Sequence, residues 1–136
     1  MTTSLVTGGA GFIGSNLVDE LIRLKHKVVV LDNLSTGQIS NLRQSIKKIK
    51  FIKIDLHKDK NKIYKIINKY KVNNIFHMAG LADIVPSIVS PETYFNSNVV
   101  GTFNILEAAK KFKVKKFIYA ASASCYGIPD KYPTNE

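Results

Sequence analysis

Five short runs of apolar and β-branched residues, separated by longer stretches with helical spacing, constrain this chain more than any other feature. The runs are TSLVT (3–7), KVVVLD (27–32), KFIKID (50–55), NNIFHMAG (73–80, running into a loop) and KFIYAAS (116–122). KVVVLD has no polar alternation, the pattern of a strand buried on both faces of a parallel sheet. Between the runs the spacing predicts helices over 12–24 (Ile13, Leu17, Leu21 and Leu24), 39–48, 59–70 (Ile63, Ile66, Ile67 and Tyr70) and 91–112. Pro91 suits the first turn of the last of these, and Val99, Phe103 and Leu106 run along it. Strands alternating with helices imply right-handed crossovers and a parallel sheet. The expectation is a single α/β domain over residues 1–136, with strand order 3-2-1-4-5 and helices on both faces. Its crevice lies where the order reverses beside strand 1.

The stretch VTGGAGFIG (6–14) falls at that crevice. Gly8, Gly11 and Gly14 follow strand 1 directly, and each has a physical role in a Rossmann-type phosphate turn. Gly8 takes the tight turn, Gly11 lets the backbone approach a pyrophosphate, and Gly14 lets the helix pack close to the sheet. The backbone amides of Phe12 and Ile13 then open the helix toward the phosphates, where its dipole favours negative charge. The bare alternative is a strand–turn–helix with no ligand. Strand 2 ends at Asp32, about twenty residues on, where an acid accepts hydrogen bonds from adenosine ribose hydroxyls and repels a 2′-phosphate. That favours NAD over NADP; the alternative for Asp32 is an acid that caps the strand.

Composition narrows the remaining classes. The formal net charge is +10, yet the lysines are spread along the chain and arginine occurs only as Arg23 and Arg43. A solvated basic surface accounts for this better than specific nucleic-acid reading, with weak, salt-sensitive attraction to polyanions as the alternative. No apolar run is long enough to span a membrane, and no signal peptide is evident. Cys125 is the only cysteine, so no internal disulfide forms, and a cytoplasmic location is expected. No cluster has metal-ligand spacing. Cys125 reads as a small apolar filler, and His77 as a structural hydrogen-bonder rather than a catalyst.

TGGAGFIG, LDNLSTG, DLHK (55–58), HMAG (77–80), NVVGTFNILEAAKK (98–111) and ASASCYG (121–127) together resemble the extended short-chain dehydrogenase/reductase family. Within it they resemble the NAD-dependent nucleotide-sugar epimerases and dehydratases. The resemblance covers essentially the whole chain. It implies that Asn33, Ser35, Thr36 and Gly37 lie along the adenosine and that Asp55 and Leu56 flank the adenine. It implies that Met78, Ala79 and Gly80 line the ribose and pyrophosphate, and that Asn98 helps to order the site. Ser122 matches the catalytic serine that positions the sugar hydroxyl; its alternative is a serine capping a strand end. Ser124 is its neighbour, and Ser87 matches a substrate-side serine. In the implied reaction a hydride passes from the sugar ring to NAD, leaving a transient ketone, and an epimerase returns it to the opposite face. Ala82 stands where some galactose epimerases have lysine, so the sugar nucleotide stays open.

The family's chemistry uses a Tyr-x-x-x-Lys pair on one helix face. None of the six tyrosines here has lysine four positions on. The chain therefore reads as the first part of an enzyme, expected to bind NAD and not to turn over sugar alone. A complete small NAD-binding or interaction module is the alternative. An uncovered fifth strand and apolar face would favour self-association or a homodimer.

Overall fold

The computed structural model describes residues 1–128 and 131. Five parallel strands form one sheet: β1 (Thr3–Thr7), β2 (Lys27–Asp32), β3 (Lys50–Lys53), β4 (Asn74–His77) and β5 (Lys116–Tyr119), in the order β3-β2-β1-β4-β5. This is the expected order. Val6 pairs with Val30 on one side and Phe76 on the other, so β1 is the central strand at which the order reverses.

The period of two along the strands sorts side chains into two cores. Leu5, Val29, Leu31 and Ile75 face α2 (Lys60–Tyr70) and α5 (Gly101–Lys111), packing on Ile63, Ile67, Ile105 and Ala108. Val6, Val28 and Val30 face α1 (Phe12–Arg23) and pack on Val18, Leu21 and Leu42. Helices therefore cover both faces of the central strands, and the β1 and β2 runs lack alternation because both their faces are dry, whereas Ile118 and Tyr119 of the edge strand β5 are exposed.

Several elements differ from expectation. Residues 39–48 form only a 3₁₀ turn, Ile39–Leu42, followed by turns. β3 stops at Lys53 and β5 at Tyr119, opposite Asp32 and His77, where their partner strands β2 and β4 end. A short helix α3 (Ile84–Val89) precedes α4 (Pro91–Phe95). The long helix predicted over 91–112 is α4, a π-helical turn (Asn96–Val100) and α5, in continuous right-handed backbone. The helix faces also differ. α1 buries Gly14, Ser15, Val18 and Leu21 while Ile13 is exposed, and α5 buries Gly101, Asn104, Ile105, Ala108 and Ala109. Small residues let these helices approach the sheet, so the larger apolar side chains Phe103 (54% exposed) and Leu106 (45%) face outward.

Three helices end alike. Lys25, Lys71 and Lys113 take left-handed φ values of 60°, 50° and 52°. In each case the next amide reaches back to close a Schellman motif: His26 to Leu21, Val72 to Ile67, Val114 to Ala109. A lysine there complements the helix dipole but carries the left-handed strain that glycine avoids.

Candidate functional site: a crevice at the strand reversal

The C-terminal ends of the strands open into a crevice of about 860 Å³. Its floor is the glycine turn. Gly8 adopts φ +65°, and a Cβ there would meet the Ala79 amide nitrogen at 2.6 Å. A Cβ on Gly14 would meet the Gly8 carbonyl oxygen at 2.2 Å, so the turn closes only with glycine at both positions. Gly11 serves a different end: a Cβ there would meet only the Gly8 oxygen, at 3.3 Å, and its other side is bare toward the crevice. Gly11 is also the N-cap of α1 and supplies no side-chain cap, so the helix opens with its Phe12 and Ile13 ends at the crevice wall.

Asp32 ends β2 beside this turn and is 8% exposed. Its Oδ2 accepts the Ala10 amide at 2.8 Å and its Oδ1 the Leu34 amide at 2.7 Å. It therefore does cap the turn, and each oxygen keeps further acceptor capacity. Asn33 Oδ1 accepts the Ser35 amide at 2.9 Å, and Leu34 takes a left-handed φ of 61°. The loop carrying Ser35, Thr36 and Gly37 is stitched to the glycine turn by the Gln38 amide and the Asn41 side chain, both donating to the Ala10 carbonyl. Gly37 packs so closely on Ala10 that a Cβ would lie 2.9 Å from its carbonyl carbon.

Asp55 and Leu56 follow β3 at the same mouth. Asp55 Oδ1 lies 2.6 Å from His57 Nδ1, a partner that the sequence did not signal. The Asn104 side chain donates to the carbonyl of Leu56 at 2.9 Å and fixes this segment on α5. Opposite the glycines, Met78, Ala79 and Gly80 form the wall after β4. The Asn98 amide clamps the next residue, accepting from the Leu81 nitrogen and donating to its carbonyl, both at 2.8 Å. The π turn places Asn98 for this; such turns are frequent at functional sites.

Ser87 lies on α3 at the crevice and donates to the Ile84 carbonyl at 2.6 Å. Ser122 lies at the crevice beyond β5. Ser124 falls in a 3₁₀ turn, Ala123–Tyr126, and its side chain lies outside the described residues. Cys125 is exposed, which corrects its reading as an apolar filler. Tyr94, Ser97 and Tyr119 also line the crevice; no sequence pattern singled them out because they come from three separate elements. Among the described residues no group of His, Cys, Asp and Glu is placed to hold a metal ion, and no helix is long and apolar enough to cross a membrane.

The charge distribution has a consequence for phosphate. The chain carries +10, yet among the described residues no lysine or arginine lines the crevice. The glycine turn presents backbone amides and the α1 dipole to an anion in this crevice. A bare Gly11, an uncapped helix start and an acid at the end of β2 fit an adenine dinucleotide without a 2′-phosphate.

The sequence profile of the GDP-mannose 4,6 dehydratase family matches residues 5–136. The chain belongs to this family. It is an epimerase/dehydratase-type member of the extended short-chain dehydrogenases/reductases, as its motifs imply. Among similar proteins, UDP-glucose 4-epimerase of Bacillus subtilis (strain 168) is 36% identical over 136 residues, covering 97% of this chain and 40% of its own length. The structure of UDP-glucose 4-epimerase with UDP-glucose from Thermotoga maritima superposes with a TM-score of 0.89 at 35% identity, covering 98% of this chain and 42% of that one. That of UDP-glucose 4-epimerase from Brucella ovis in complex with NAD gives 0.88 at 33% identity, covering 100% and 40%. This family member thus spans about two fifths of the length of the relatives it matches.

Proposed function

We propose that this chain is the NAD-binding portion of a nucleotide-sugar epimerase of the UDP-sugar 4-epimerase type. The observation that carries the reading is the crevice, which joins the glycine turn, Asp32 and the Ser122 end of β5. When bound, NAD supplies the hydride acceptor for oxidation of a sugar hydroxyl. The chain's residues supply placement. Gly8, Gly11 and Gly14 with the Phe12 and Ile13 amides hold the pyrophosphate, and Asp32 accepts the adenosine ribose hydroxyls. Asn33, Ser35, Thr36 and Gly37 follow the adenosine, and Asp55 and Leu56 flank the adenine. Met78, Ala79 and Gly80 line the ribose and pyrophosphate, and Asn98 helps to order the site. Ser122 orients the sugar hydroxyl, with Ser87 and Ser124 on the substrate side. Alone, the chain binds NAD and turns over no sugar, because no tyrosine is paired with a lysine four residues on.

We further propose a homodimer in the working protein. Phe95, Val99, Phe103 and Leu106 form an exposed stripe along α4, the π turn and α5. Glu92 lies at one end of this helix and Lys110 and Lys111 at the other, so two antiparallel copies set acid against base. We also propose a cytoplasmic location, with which a chain of one cysteine is in keeping.

A chimera tests the reading. Residues 1–136 replace the matching segment of the Bacillus subtilis enzyme. The chimera is expected to interconvert UDP-glucose with its 4-epimer, and Ser122→Ala to lower kcat about a hundredfold, the scale of a lost proton-positioning group. A folded, NAD-loaded chimera with no turnover would favour a non-catalytic module.

A further inference from the structure

His77 ends β4 and is fully buried. Its Nδ1 lies 2.6 Å from Thr7 Oγ1 and its Nε2 lies 2.8 Å from Thr102 Oγ1. The neighbours decide where its proton sits. The Thr102 hydroxyl is 2.6 Å from the Asn98 carbonyl, which only accepts, so its single proton is committed there. Thr102 Oγ1 therefore accepts from Nε2–H. Burial pushes the His77 pKa down to about 4, so the ring is neutral and Nδ1 is bare. Nδ1 then accepts from Thr7, whose oxygen in turn accepts the Ala79 amide at 3.3 Å. Every proton in this series has one place to go: Ala79 to Thr7, Thr7 to His77, His77 to Thr102, Thr102 to Asn98.

We propose that His77 is a positioning residue: with its proton on Nε2, it ties the crevice wall Met78–Leu81 to the glycine turn on one side and to the π turn on the other. The assignment of this wall to a dinucleotide rests on the function proposed above; the tie itself does not. Thr7 immediately precedes Gly8, and the wall touches that glycine where a Cβ would meet Ala79 at 2.6 Å. At the far end the Asn98 side chain grips Leu81, so the wall is held at both ends by one connected network. The Tyr119 ring stacks on His77 at 5.5 Å and 23°, which brings the end of β5 into the same register. A neutral imidazole suits this place because it donates on one edge and accepts on the other.

The test uses Thr7→Val and Thr102→Val, which keep the shape of each side chain and remove one link. Thr7→Ser and Thr102→Ser keep the hydroxyls and serve as rescues. Imidazole 15N spectra of the wild-type chain are expected to show a protonated Nε2 and a bare Nδ1, unchanged from about pH 8 to about pH 5. Amide exchange is read across the network. Thr7→Val should speed exchange at Leu81, and Thr102→Val at Ala79, each about tenfold, the scale of one buried hydrogen bond. The serine variants should restore both. NAD affinity should fall about tenfold in each valine variant, with the double variant no weaker than the worse single one, as for coupled sites. A proton on Nδ1, or exchange that changes only beside each substitution, overturns the tie. A chain that shows the tie and binds no NAD overturns the cofactor reading alone. A chain that binds NAD equally in all variants overturns the positioning role.

Discussion

Consider urea unfolding of the wild-type chain and of His77→Gln at a series of pH values from about 7 to about 4. His77 is fully buried, and loss of water holds its pKa at about 4 against an ordinary 6.5. In the unfolded chain the ring regains water and titrates near the ordinary value. Above 6.5 both states are neutral at His77 and the residue adds no pH dependence. As the pH falls below 6.5, the unfolded chain takes up a proton that the folded chain refuses, so stability falls and goes on falling to about pH 4. The gap of about two and a half pH units, at about 1.4 kcal/mol each, amounts to about 3.5 kcal/mol. Against a typical total of about 5–15 kcal/mol this is a large share. Glutamine does not titrate, so the variant should lack this slope while sharing every other group's contribution, including that of the exposed Glu20–Arg23 pair. Parallel stability profiles for the two chains, or direct titration of His77 near 6.5, would show that burial does not hold the ring neutral.

Three other substitutions probe separate parts of the structure. Gly14→Ala drives a methyl into backbone, 2.2 Å from the Gly8 oxygen and 2.8 Å from Gly9 Cα. It should cost about 1–3 kcal/mol as an overpacked site and weaken NAD binding more than tenfold, measured by thermal melting and titration. Lys113→Gly relieves a left-handed lysine in a Schellman motif and should raise stability by about 1 kcal/mol in urea unfolding, with NAD affinity unchanged. Phe103→Lys places a charge in the exposed stripe and should shift sedimentation from dimer to monomer.

The central strands were legible because two dry faces leave them without polar alternation, and KVVVLD is the plainest case. Strand ends were less so: the runs continue past Lys53 and Tyr119, but the paired register stops where the neighbouring strands end, at Asp32 and His77. The helix faces of α1 and α5 misled for a different reason. Spacing counts the large apolar residues, whereas close packing on this sheet selects Gly14, Ser15, Gly101 and Ala108. Neither α3, with Pro86 inside it, nor the π turn leaves a periodic signal. The glycines, Asp32 and the HMAG segment marked the crevice, since a phosphate turn demands particular residues at particular steps. The His77 network was not legible beyond a buried hydrogen-bonder, because its partners lie 70 and 25 residues away in sequence. His57 beside Asp55 was hidden within a four-residue match.

The most direct test of the central claim is calorimetric titration of the purified chain with NAD and, in parallel, NADP. Asp32→Ala and Gly11→Val serve as controls. The expected result is saturable NAD binding, much weaker NADP binding because the Asp32 carboxylate repels a 2′-phosphate, and loss of NAD binding in both variants. A folded wild-type chain that binds neither nucleotide, or binds both alike, would contradict it.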